Sequence, residues 1–265
     1  MKDDPEKSTP SSVLLAERRG EVLWLTVNRP EKHNALNRAV LGAIGEAFSA
    51  HATDDGLKAA VIIGAGDKYF AAGGDLHELR AMKTAAEARA FSLETRAHFD
   101  AVRDFPVPVV AALNGDALGG GTELALACDF RVTAAGARFG FVQGRIAIGS
   151  GWGGGIDLMD VVGPVRAHRL MSHTEYVDGA EALAMGLADA VGSPGQAMKD
   201  LTGEFLEPMV ALTRPVLRAF KKMARARRRG IGRDELAALE TELFTELWVD
   251  DDHWAALERV MPEKR

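Results

Sequence analysis

The sequence is short of cysteine: Cys128 is the only one in 265 residues, so no disulfide can form within the chain. A lone thiol is compatible with a reducing compartment. No apolar run approaches the ~20 residues that cross a bilayer, so no membrane span is expected. Positive charge is not in excess, since 32 Lys and Arg face 38 Asp and Glu for a formal net charge of −6. That balance favours solubility and argues against a dedicated nucleic-acid binder. No P-loop, zinc motif or nucleophile elbow is present, and the histidines have no metal-ligand spacing. Gly64-Ala65-Gly66 follows an apolar run as a dinucleotide-binding turn would, but Tyr69 stands where the third glycine belongs, which rejects that reading.

What is present describes an ordinary globular protein, 47% apolar and 26% charged, long enough for one large domain or a domain with a small appendage. The first twelve residues, MKDDPEKSTPSS, are acidic and polar with no apolar stretch, which predicts a disordered tail through about Ser12, no secretion signal, and the cytoplasm as the default location. Val13 to Glu17 and Glu21 to Val27 read as a hairpin around Arg18-Arg19-Gly20. Asn37 is the expected N-cap of a helix to about His51, with Val40, Leu41, Ile44 and Phe48 on one stripe. Ala59 to Ile63 and Val107 to Leu113 are continuous apolar runs, the pattern of strands buried on both faces. The stretch from about Leu76 to Asp104 is long, charged, amphipathic and helical in pattern, Thr122 to Ala127 reads as a helix, and Phe130 to Thr133 and Phe139 to Val142 as further short strands. The alternation predicts an α/β fold with right-handed crossovers, giving way to a mainly helical region after Gly163.

Two glycine-rich segments each follow a buried strand and open a helix. In Leu118-Gly119-Gly120-Gly121-Thr122-Glu123 consecutive glycines let the main chain approach a ligand. The helix N-terminus there offers unpaired N–H groups and positive partial charge, a setting for an oxyanion. Glu123 lies nearly one turn after Gly120, so its carboxylate can face the same ligand. A tight turn with a solvated first-turn glutamate fits this segment equally well. In Phe70-Ala71-Ala72-Gly73-Gly74-Asp75-Leu76 four small residues expose the main chain, although a plain loop capped by Asp75 explains that segment alone.

Taken in order, Arg29-Pro30 with Asn34-Ala35-Leu36-Asn37, the segment FAAGGDL, and the segment ALNGDALGGGTELALACD from Ala112 to Asp129 closely resemble the signatures of the crotonase (enoyl-CoA hydratase/isomerase) superfamily. The resemblance runs from about Val13 to Val191. It implies a ClpP-like spiral of ββα units over 13–195 and a C-terminal helical region over 196–265 that contributes to homotrimers, often paired into hexamers. It further implies an acyl-CoA substrate and no cofactor beyond the CoA that the substrate carries. Carried over by position, Gly74 and Gly120 donate the oxyanion-hole N–H groups and Glu123 is a catalytic carboxylate. Ala35, Leu36 and Ala72 fall where the family's main chain meets CoA, with Asp75 in the same loop. Lys32 is a candidate phosphate contact, or else an exposed loop lysine.

One position departs from the pattern. A second catalytic glutamate is expected in a segment of the form Phe-Gly-x-Pro-Glu, and the sequence has Phe139-Gly140-Phe141-Val142-Gln143. Glutamine orients water but does not exchange a proton at neutral pH. The expectation is therefore a lyase with a single glutamate, hydratase-like. The alternatives are decarboxylation of a malonyl-type thioester, with Arg145 a candidate to hold the carboxylate, and enoyl-CoA isomerisation. Phe141-Val142-Gln143, Cys128-Asp129-Phe130-Arg131 and Trp152-Gly153-Gly154 locally resemble the ethylmalonyl-CoA decarboxylase branch. The cationic run from Arg214 to Arg229 reads first as a solvated helix face. An RNA-binding hydratase homologue is the non-enzymatic alternative, which the acidic total disfavours.

Overall fold

The computed structural model describes residues 12–261. The expected tail lies outside these, apart from Ser12. Strands β1 (Leu14–Arg19) and β2 (Val22–Val27) form the expected hairpin, closed by a two-residue turn in which Gly20 takes φ +61°. Helix α1 (Arg38–His51) is capped as expected, the Asn37 side chain accepting from Val40 N–H. Two strands follow, β3 (Ala59–Gly64) and β4 (Tyr69–Ala71).

The expected helical stretch over 76–104 is divided into two helices, α2 (Leu76–Ala81) and α3 (Ala85–Arg103). The reason is local. Thr84 accepts from Glu87 N–H while the Glu87 carboxylate reaches back to Thr84 N–H, a capping box that starts a new helix. Next come β5 (Val109–Leu113), β6 (Asp116–Leu118), α4 (Gly120–Ala127), β7 (Phe130–Thr133) and β8 (Arg138–Gly140). The rest is α5 (Gly154–Val162), α6 (Pro164–Ser172), β9 (Tyr176–Asp178), α7 (Gly179–Ala184), β10 (Ala190–Val191), α8 (Met198–Val210), α9 (Arg214–Arg228), α10 (Arg233–Trp248) and α11 (Asp251–Val260). The chain beyond Gly163 is thus mainly helical but still returns two short strands to the sheets.

Six strands form one sheet in the order β1-β2-β3-β5-β7-β10, parallel except for the β1–β2 pair. Four form a second, β4-β6-β8-β9, parallel except for the β8–β9 pair. Strands β3, β5 and β7 of the first sheet are each followed at once by β4, β6 and β8 of the second, and then by helix. That repetition is the ββα spiral. The main core fills the space between the sheets and helices α1, α3 and α4. On the outer face of the large sheet α8 lays Leu201 and Leu206 over Val22, Trp24, Val61, Val110 and Val132.

This topology places the site. Because β4, β6 and β8 are parallel neighbours, their C-terminal ends lie side by side. The segments that leave them are the loop to Gly74, the turn into α4, and the turn to Gln143.

Candidate active site

The two glycine loops abut. A Cβ built on Gly73 (φ +104°) would lie 3.0 Å from Leu118 O and 3.6 Å from Gly120 N. Gly119, with φ +50° and ψ −113°, takes a backbone geometry open to glycine as it turns the chain into α4. Leu36 bridges the first loop: its N–H donates to Gly73 O, and its carbonyl accepts from Asp75 N–H. That pairing points the Gly74 N–H the other way. Neither Gly74 N–H nor Gly120 N–H has a backbone acceptor among the described residues. Two free donors on adjacent loops, one at a helix N-terminus, suit a developing negative charge on oxygen.

Glu123 is 4% exposed and fully engaged. Its Oε2 accepts from Ser150 Oγ at 2.8 Å, Trp152 N–H at 2.9 Å and Gly154 N–H at 3.0 Å. Its Oε1 accepts from Gln143 Nε2 at 3.2 Å. Oε2 is therefore committed to the fold, and Oε1 is the oxygen that faces the Gln143 side-chain amide.

The loop 150–154 that grips Glu123 is itself held. Arg103 at the end of α3 donates to Trp152 O at 3.2 Å and to Asp157 Oδ2 at 2.6 Å, with both partners largely buried. Burial pushes the Asp157 carboxyl above its ordinary range, against the pull of Arg103. Ser92 of α3 adds a bond to Gly151 O at 2.6 Å. Ser150, Arg103 and Asp157 are not among the sequence-derived candidates, and Trp152-Gly153-Gly154 is noted there only for its local resemblance. The available signal was the glycine-rich stretch 149–155, a third such segment opening a helix.

The structure thus brings Gly74, Gly120, Glu123 and Gln143 together, and places Ala35, Leu36 and Ala72 on the rim of the first loop. Ala72 N–H donates to His33 O at 3.0 Å, tying that rim to the 30–36 turn. Asp75 caps α2 through His77 N–H and is paired with Arg29 at 3.1 Å. Burial acts to raise its carboxyl, but the Arg29 and His77 donors outweigh it and hold the group below its ordinary value. Lys32 is exposed on a 3-10 turn. Arg145 is not drawn to Glu123: its guanidinium bonds Thr174 O at 3.1 Å and Tyr176 Oη at 3.2 Å and lies over the Tyr176 ring.

The basic run lies on α9 and the residue that follows it. Arg214 pairs with Asp55, Lys221 with Asp129, and both Arg225 and Arg229 with Asp104. Arg218, Lys222 and Arg227 are exposed, so the run is partly a seam against the rest of the chain and partly a solvated face. An open groove of about 790 Å³ lies between α9 and α10, with Arg218 and Lys222 on one wall and Leu239, Leu243 and Leu247 on the other. It does not include Glu123 or the donor glycines. Among the described residues no cluster of His, Cys, Asp and Glu could hold a metal ion, and no helix is long and apolar enough to cross a membrane.

A fold of stacked ββα turns with two main-chain donors beside a buried carboxylate defines a class of enzymes that handle thioester enolates on CoA. The comparisons agree. The family model described as enoyl-CoA hydratase/isomerase matches residues 17–262. A short-chain-enoyl-CoA hydratase of Clostridium acetobutylicum is 32% identical over 252 residues, 95% of each chain. A 2,3-dehydroadipyl-CoA hydratase of Escherichia coli is 35% identical over 245 residues, 91% of this chain and 92% of its own. The crystal structure of an enoyl-CoA hydratase from Mycobacterium smegmatis superposes with TM-score 0.89 at 28% identity, covering 96% of this chain and 97% of that one. The chain belongs to the enoyl-CoA hydratase/isomerase family, within the crotonase superfamily. It is an enzyme of the hydratase-like, lyase kind; the local likeness to the decarboxylase branch gains no support from these relatives.

Proposed function

We propose that this enzyme adds water across the double bond of a 2-enoyl-CoA with Glu123 as its single proton-transfer residue. The observation that carries the reading is the convergence on one carboxylate: Glu123 sits one turn from Gly120, with Oε1 turned to Gln143. The thioester oxygen accepts the Gly74 and Gly120 N–H groups. Those bonds polarise the conjugated system and make C3 electrophilic. Glu123 Oε1 takes a proton from water as the water oxygen bonds to C3. The electrons of the double bond move to the thioester oxygen, where the two donors stabilise the enolate. The same Oε1 then delivers the proton to C2, so one water is consumed and Glu123 is regenerated.

Gln143 fits this cycle because an amide has both faces. Its NH₂ donates to the carboxylate, as in the structure. Its carbonyl accepts from water, or from the carboxylic acid once Glu123 is protonated. Lys32, Ala35, Leu36, Ala72 and Asp75 form the side from which CoA approaches, Asp75 by fixing the loop through Arg29. No cofactor beyond CoA enters this reaction. The described residues beyond 196 expose Phe220, Phe244, Trp248, Trp254 and Val260, which supports reading 196–265 as the trimerisation region of a homotrimer or hexamer.

The test is mass spectrometry of the purified enzyme with 2-enoyl-CoA and malonyl-type thioesters. Gain of water by the enoyl thioester is expected. Loss of CO₂ from the malonyl-type ester with no hydration would overturn the reading.

A further inference from the structure

We infer that Trp152 is the residue that sets acyl-chain length, closing the pocket just beyond the reacting carbons; this deepens the hydratase reading and rests on it. Three observations converge on Trp152, two of them on its indole. A Cβ on Gly120 would lie 2.0 Å from Trp152 Cζ3, and one on Gly74 would lie 3.1 Å from Trp152 Cη2. The same ring therefore presses on both residues whose N–H groups hold the thioester oxygen. The Trp152 main chain, through its N–H, also holds Glu123 Oε2. C2 and C3 of a bound enoyl group must lie beside the donors and beside Glu123, so they are hemmed in by this one residue.

The space behind the indole is already filled. Phe91 and Phe99, two turns apart on the inner face of α3, meet Trp152 edge-on at 5.8 Å between ring centroids. Both are buried, and Trp152 itself is 8% exposed. Leu79 of α2 closes the side next to Gly74, its Cδ1 lying 3.1 Å from a Cβ built there. The wall cannot drift, because Arg103 grips the Trp152 carbonyl. A close-packed aromatic wall does not yield to an added methylene without cost. A few carbons beyond C3, an extending chain meets this wall.

The experiment compares the intact enzyme with Trp152→Ala and Trp152→Phe on trans-2-enoyl-CoA esters from about four to about twelve carbons. The wild type is expected to lose ~10-fold or more in kcat/KM between the four- and eight-carbon esters, the size of effect a misfitted methylene produces. Trp152→Ala is expected to raise the eight-to-four-carbon ratio by ~10-fold or more, and Trp152→Phe to fall between. A purely structural tryptophan would lower activity on all lengths alike and leave the ratio unmoved, which overturns the inference. So does a wild type that treats long and short esters equally. Should Trp152→Ala fail to fold, Trp152→Leu removes the outer ring while keeping apolar volume, and the same ratio decides. A wild type that hydrates no enoyl ester of any length sinks the proposed function instead, which separates the two failures.

Discussion

Helices α4 and α10 are both rich in Leu and Ala, yet they live in different worlds. Every residue of α4 is buried, including Glu123, whereas α10 buries only Leu243 of its sixteen. The difference follows from what each end of the chain packs against. Helix α4 starts where two parallel strands end, inside the core, so its N-terminal donors and its carboxylate are shielded from water and fixed by neighbours. Helices α10 and α11 lie outside both sheets and present aromatic side chains to the exterior. The candidate site sits where desolvation strengthens polar contacts, and the exposed apolar side chains of the C-terminal helices are a surface on which the proposed association can be tested.

The contrast can be broken from either side. The largest effect is expected at the buried end. Gly120→Pro removes one oxyanion donor and drives a ring into Trp152, so kcat should fall by ~10²-fold or more; circular dichroism confirms the fold, and full turnover in a folded variant would refute the donor assignment. Next comes Arg103→Leu, which leaves Asp157 buried and unpaired. Breaking such a pair costs about 3–5 kcal/mol, so Tm should drop by several degrees and kcat with it, as loop 150–154 loosens around Glu123; an unchanged Tm would show the pair does not hold the loop. Gln143→Glu sets a second carboxylate beside Glu123 Oε1. The two then titrate as a pair with one apparent pKa raised, which should move the acid limb of the pH–rate profile upward and increase hydration by up to ~10-fold. The smallest catalytic effect is expected at the exposed end: Trp254→Glu on α11 should lower the assembly mass seen by light scattering while turnover per folded chain stays close to wild type. Burial pushes the Cys128 thiol up to about 12, with Asp129 adding to it, so the native thiol should resist alkylation at neutral pH and react only on unfolding.

Much of the buried end was legible in the sequence, because its signals are chemical. Glycine runs after apolar strands mark close main-chain approach, and Asn37 marked its cap correctly. Short strands were less legible: β4, β6 and β9 hold three residues each, too few for a period to emerge, and with β8 they form the second sheet that brings the loops together. The helix break at Met82–Thr84 was hidden by continuous amphipathicity, although Thr84-x-x-Glu87 carried the signal. Ser150, Arg103 and Asp157 were invisible for another reason. Their roles depend on contacts tens of residues apart, and neither periodicity nor a local motif records those. Gln143 was the reverse case: one residue out of pattern was visible in the sequence itself, and the structure sets its amide 3.2 Å from Glu123 Oε1.

The central claim is that one carboxylate moves the proton while the amide beside it only positions. The most direct measurement is kcat of Glu123→Gln beside Gln143→Ala on the same short 2-enoyl-CoA, with Tm recorded for both. The account predicts a loss of ~10²-fold or more for Glu123→Gln and about tenfold or less for Gln143→Ala, each with a near-native Tm. Equal losses, or turnover that survives Glu123→Gln, would contradict it.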